Sequence, residues 1–152
     1  MPHIHDMYDF TITVFIVHEN KALLVHHPRY DKWLPMGGHI ELNEDPEETL
    51  YREIEEETGL EVEILSSKPN IDSPGTKFIL TPNYIDVHAA NLPHKHICFI
   101  YFGKAKNNKH RLSDEHLAIN WLSESDLDKP EYKLDEAVKF YCREAIKLAN
   151  LS

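Results

Sequence analysis

The stretch GHIELNEDPEETLYREIEEETGL, residues Gly38 to Leu60, holds the densest information in the chain. Its centre reads as a helix with both ends marked. Asp45 is a good N-cap, Pro46 sits at the first helical position, and Glu48 stands three residues after the cap, a capping-box pattern. Gly59 is placed to stop the helix as its C′ residue. The expected helix is therefore Pro46 to Thr58. Ten acidic residues lie between Glu44 and Glu63, with Arg52 the one basic residue among them. A solvated helix face mixes signs, whereas Glu53 and Glu57, four apart, repel. At about 100° per residue, Glu53, Glu56 and Glu57 share an arc of roughly 100°. Leu50 and Ile54 begin an apolar arc beside it. The helix can bury its apolar stripe on a sheet and hold three carboxylates at the edge of a cleft.

Three carboxylates so close raise one another's pKa when nothing separates them. A hard divalent cation reverses this and keeps them ionised. All-oxygen ligands favour magnesium, manganese or calcium over zinc. Arg52, eight residues after Glu44, can bridge the start of the helix to its middle. Gly37-Gly38 lets the backbone approach closely, and a carbonyl there can add a further oxygen ligand.

Outward from this helix, Thr11 to Val17 and Ala22 to His26 read as a hairpin around Glu19-Asn20-Lys21. A short strand is expected at His39 to Leu42, and another at Leu60 to Leu65. Lys68 to Asn83, with prolines at 69, 74 and 82, reads as loop with a possible strand at Lys77 to Leu80. Ile97 to Lys104 reads as a central strand buried on both faces. Asn107 to Arg111 reads as a turn and Ala118 to Leu122 as a strand. Leu134 to Leu148 has apolar residues on one helical face. Strands mixed with two substantial helices predict a mixed sheet covered by helices. The chain has no repeat or Gly/Ser linker and is read as one domain over residues 1–152.

Composition narrows the function. The chain has 152 residues and a formal net charge of −10. That balance argues against a protein that coats long nucleic acid, whose affinity comes from basic surface. No apolar run approaches the ~20 residues a membrane helix needs, and no secretory leader is seen. Cys98 and Cys142 lie in no CxxC spacing and read as reduced, partly buried thiols of a cytoplasmic protein.

The segment resembles the Nudix box, G-x5-E-x7-R-E-U-x-E-E-x-G-U with U aliphatic. Gly38, Glu44, Arg52, Glu53, Ile54, Glu56, Glu57, Gly59 and Leu60 match it, and no position departs. The flanking hairpin, short strand and late helix are similar to that family as well. The resemblance implies an α/β fold, an α/β/α sandwich with a mixed central sheet. It implies a hydrolase that cleaves a phosphoanhydride bond of a small nucleotide, either a nucleoside triphosphate or a nucleoside diphosphate linked to X, such as ADP-ribose. Glu53, Glu56 and Glu57 would be magnesium ligands, with manganese a substitute and the main-chain oxygen of Gly37 a further ligand. Glu44 and Arg52 would be the supporting pair. The cations would neutralise the diphosphate and activate a water for in-line attack, a carboxylate taking its proton. Glu56 and Glu57 are candidates for that role, as is Glu115 in Ser113-Asp114-Glu115-His116. A homodimer is compatible with the resemblance.

Other residues suggest substrate contacts. Trp33 before the glycines can stack on a base or belong to the core. Arg29, Lys32, Lys77 and Lys95 can meet phosphates or simply keep the surface soluble. Pro74 stands near the place of a proline that accompanies ADP-ribose hydrolysis in the family. The histidine pairs His3/His5 and His94/His96 alternate as on one strand face. They join no CxxC or HExxH pattern, so they are read as polar strand and loop residues, some lining the cleft, and no zinc site is expected. Two rival readings differ in class. A silent Nudix domain that binds nucleotide or a protein partner would usually lack box carboxylates. An enzyme acting on the 5′ end of RNA would need a basic track.

Overall fold

The computed structural model describes residues 3–110 and 118–152. Eight strands form one mixed sheet with a helix on each face. At its centre, β1 (Tyr8–His18) runs parallel to β7 (Lys95–Ala105) along its whole length. β1 then turns through Glu19-Asn20, both with positive φ, into β2 (Lys21–His27). Two such residues give a hairpin turn whose twist matches that of the strands. The other edge of β1 also pairs with β4 (Met36–His39), while β2 carries β3 (Lys32–Leu34) and β8 (Ala118–Ser123). β5 (Val62–Ile64) and β6 (Tyr84–Ala89) pair antiparallel with the far edge of β7.

Alternation along the strands makes two cores. Ile12, Val14, Ile16, Leu23, Val25, Met36 and Tyr101 face α1 (Pro46–Glu57), which buries Leu50 and Ile54 against them. Phe15, Val17, Leu24, Cys98, Ile100, Phe102 and Leu122 face α2 (Glu136–Asn150), which contributes Tyr141, Cys142, Ala145, Ile146 and Ala149. β7 is thus buried on both faces, as its sequence predicts. Both cysteines are free and buried.

The helix signals act as read. Glu48 N–H donates to Asp45 Oδ1 at 2.9 Å and Asp45 N–H to Glu48 Oε1 at 3.0 Å. Gly59 has φ 66° and closes α1 with its N–H on the carbonyls of Ile54 and Glu55.

Two expectations need correction, and one element is new. The strand expected at His39 to Leu42 lies earlier, at Met36–His39, because those residues pair with Val14 to Thr11. Beyond Ile40 the chain turns away through Asn43, with φ 72°. Lys77 to Leu80 is no strand. Its backbone is held piecemeal, for example by Tyr101 Oη donating to Leu80 O at 2.9 Å. β6 is an element the sequence pattern does not announce, since both of its faces are largely exposed. Glu115 lies outside the described residues.

Candidate active site

α1 stands beside β4, so the carboxylates of one meet the glycines of the other. Gly38 faces the helix, and a Cβ on it would be driven into the Glu53 carboxylate, with Cδ at 2.7 Å. Only glycine leaves that space. Gly37 faces the other way, where a Cβ would strike the β1 backbone at Ile12 O.

Arg52 organises the acids. Its Nε donates to Glu44 Oε2 at 2.7 Å and its Nη2 to Glu44 Oε1 at 2.9 Å, a bidentate fork. Nη1 donates to Glu53 Oε1 at 3.0 Å and to Glu56 Oε2 at 3.2 Å. Nη2 also reaches the His39 carbonyl at 3.3 Å, tying the helix to the end of β4. Glu44 further accepts from Thr49 Oγ1 at 3.0 Å and Glu41 N at 3.1 Å. The Arg52 fork, with these donors, pulls the Glu44 carboxyl down to about 2, and Glu44 in turn raises the guanidinium above its ordinary value.

Glu53 behaves in the opposite way. Burial, reinforced by a hydrogen bond with Glu57 and by its charge, pushes the Glu53 carboxyl up to about 8, although Arg52 works against this. Glu53 and Glu57 are 8 % and 3 % exposed, so they are not edge residues but part of the buried stripe with Leu50 and Ile54. Glu56 points to solvent. Two buried carboxyls side by side, with an outer carboxylate beside them, are a donor set that fits a hard dication, whose charge would favour their ionised form.

The remaining predicted residues lie around this centre. Lys77 Nζ is 2.6 Å from Asp45 Oδ2, and Lys68, which sequence reasoning passed over, is 3.3 Å from Glu47 Oε1. These two lysines pin the 65–83 segment to the start of α1. Trp33 faces the α2-side core, against His26 and edge-on to Tyr132 with ring centres 5.5 Å apart. Arg29 is exposed in the turn after β2, and among the described residues its side chain makes no ion pair. A groove of about 560 Å³ opens beside Glu44, walled by Phe10, Ile40, Pro46 and Phe99.

Comparison with known proteins agrees with this geometry. The NUDIX domain model matches residues 7–143. The chain belongs to the NUDIX domain family. A NUDIX-family hydrolase from Clostridium perfringens is 34 % identical, with 93 % of this chain and 97 % of that one covered and a TM-score of 0.80. A MutT NUDIX hydrolase from Burkholderia pseudomallei shares the fold at 23 % identity, covering 94 % and 98 % of the two chains with a TM-score of 0.63. A probable DHNTP pyrophosphohydrolase from Lactococcus lactis subsp. cremoris is 25 % identical over 120 residues, which are 79 % of this chain and 68 % of the relative. This NUDIX protein is a pyrophosphohydrolase. Among the described residues no helix is long and apolar enough to cross a membrane.

Proposed function

We propose that this NUDIX protein is a magnesium-dependent hydrolase that cleaves a phosphoanhydride of a small nucleotide, a nucleoside triphosphate or a nucleoside diphosphate linked to X. The observation that carries the reading is the Glu53–Glu57 pair, buried side by side, with Glu56 beside it and Arg52 bonded to Glu53 and Glu56. Such a pair has little structural value of its own and suits a dication that offsets its charge. Glu53, Glu56, Glu57 and the Gly37 carbonyl would hold magnesium, with manganese as a substitute. Bound there, the cations would offset the charge of the diphosphate and acidify a water for attack on phosphorus.

The chain's own residues set the geometry. Glu44 fixes Arg52, and Arg52 fixes the directions of Glu53 and Glu56. The proton of the attacking water passes to a carboxylate, for which Glu56, Glu57 and Glu115 are the candidates. The Gln variant that loses rate while still binding magnesium identifies it. The apolar wall of Phe10 and Phe99 beside Glu44 suits a flat base. Arg29 and Lys77 are assigned to phosphate contact, Lys77 having to leave Asp45 to do so, while base contact falls to Phe10 and Phe99 and not to Trp33, which packs on the α2-side core. Residues 1–152 act as one unit on a small substrate rather than on long nucleic acid. The two buried thiols suit a cytoplasmic protein.

A phosphate-release panel tests the reading. It comprises nucleoside triphosphates, oxidised nucleotides, ADP-ribose, dinucleoside polyphosphates and nucleotide sugars, each with magnesium, manganese or chelator. Turnover of one class that chelator abolishes is the expected result. Nucleotide binding without turnover of any class, in a folded protein that binds magnesium, would overturn it.

A further inference from the structure

The sheet face opposite the carboxylates carries a second group of ionisable side chains that the reaction above does not use. Asp9 on β1 pairs with His96 on β7, and His96 pairs with His88 on β6, so the three stand in one row across adjacent strands. His39, at the end of β4, lies opposite Thr11, which faces the same side of β1 as Asp9. One ligand-capable atom from each of Asp9, His39 and His96 lies within 4.8 Å of the other two. The His39 and His96 rings meet edge to face at 5.2 Å, and His39 Nε2 is 3.9 Å from Asp9 Oδ2.

We propose that Asp9, His39 and His96 form a second metal site, separate from the carboxylate centre, that takes a transition-metal dication such as zinc or cobalt. Two imidazoles and one carboxylate suit these ions, whereas magnesium prefers oxygen ligands alone. Tetrahedral zinc with bonds of about 2.0–2.1 Å places its ligand atoms about 3.4 Å apart. Rotation of three side chains on the sheet surface closes the triad without moving a strand. The side chains of His39 and Asp9 are 58 % and 55 % exposed, which gives the ion a way in and leaves coordination positions for water.

A hydrogen-bond relay prepares His96 for the role. His88 Nδ1 is 2.8 Å from Asp86 Oδ1, and His88 Nε2 is 3.3 Å from His96 Nδ1. An ionised carboxylate only accepts, so His88 Nδ1 carries the hydrogen. In a neutral ring the other nitrogen of His88 is then an acceptor, and in that tautomer His96 Nδ1 donates to it. The lone pair of His96 is left on Nε2. Asp86 is itself held by Tyr141 Oη of α2 at 2.6 Å. A metal-bound histidine whose second N–H is anchored toward a carboxylate is the usual supporting arrangement. The pair His94/His96 that alternates in the sequence contributes one member, and the partners come from other strands.

The test is a cobalt titration of the chelator-treated whole chain with magnesium held at saturation, read by the visible bands of low-symmetry cobalt and by calorimetry with zinc. Wild type is expected to take up one equivalent. His96→Ala and His39→Ala should lose it, Asp86→Asn should weaken it about tenfold, and Glu57→Gln should retain it. Should His96→Ala fail to fold, Asp9→Asn and His39→Ala, at exposed side chains, carry the same expectation. No uptake by wild type, loss in Glu57→Gln, or full uptake in His39→Ala and His96→Ala would overturn the proposal. None of these readouts depends on hydrolysis, so a failure of the enzymatic reading leaves the result interpretable.

Discussion

The two faces at the Gly38–His39 edge of the sheet are built from different materials. On the α1 side, one helix and the loop before it supply every acid, and Arg52 joins Glu44, Glu53 and Glu56 within thirteen residues of chain. On the α2 side, Asp9, His39, His88 and His96 come from four strands, and only the sheet register brings them together. The first arrangement is oxygen-rich, partly buried and charged. The second is nitrogen-rich and half open to solvent. Local sequence can write the first, because a helix places residues three and four apart on one side. It cannot write the second, because the spacing between strands along the chain is arbitrary.

The largest expected effect breaks the comparison if it fails. Glu57→Gln should lower turnover by about 10²–10⁴-fold, with the far-ultraviolet circular-dichroism spectrum unchanged. An equal loss in His88→Ala would mean that the two faces act as one site.

Next, the adjacent glycines should part company. In Gly38→Ala the new methyl meets the movable end of Glu53, so activity should fall at least tenfold while the fold survives. In Gly37→Ala the methyl meets the β1 backbone, so stability should fall by about 1–3 kcal/mol. Urea melts and turnover measured on both variants separate these outcomes.

The pH response sharpens the same contrast. Glu53 is raised from 4.5 to about 8 on folding, so its contribution in the metal-free protein is complete below pH 4.5 and lost as pH rises through about 8. Glu44 runs the other way: its contribution is present above 4.5 and lost as pH falls toward about 2. Between pH 5 and 8 in chelator, wild type should therefore lose stability relative to Glu53→Gln, and magnesium should remove the difference. Thermal melts of the two proteins at several pH values check this.

Smaller effects follow at the edge of the site. Asp45→Ala removes the N-cap and should cost about 0.5–2 kcal/mol in a denaturant melt. Lys77→Ala should leave the melt nearly unchanged and raise KM, if its ammonium leaves Asp45 for a phosphate.

Much of this was legible beforehand, for identifiable reasons. The capping box at Asp45, the stop at Gly59 and the apolar run of β7 are local signals with one reading each. The burial of Glu53 and Glu57 was not legible, because periodicity fixes the angle of a side chain and not how deeply the helix settles. β6 escaped notice because Ile85 and Val87 face solvent rather than a core. It is held by main-chain pairing to β7 and by Tyr141 and Tyr84, which bond across to Asp86 and Glu144. Asp9, His39 and His96 belong to the same class of features, those that exist only after the strands have paired.

The central pairing of β1 with β7 joins residues 87 positions apart, beginning with Tyr8 and Lys95. Closing so long a loop costs entropy before any contact is made, and parallel pairing of this kind slows folding. A chain emerging from the ribosome carries β1 as an exposed, apolar strand until β7 has been made. Its hairpin with β2 offers a few local pairs in the interval. The helix with the acidic box is complete long before the sheet it rests on, so its charges help keep the growing chain in solution while β1 waits for its partner.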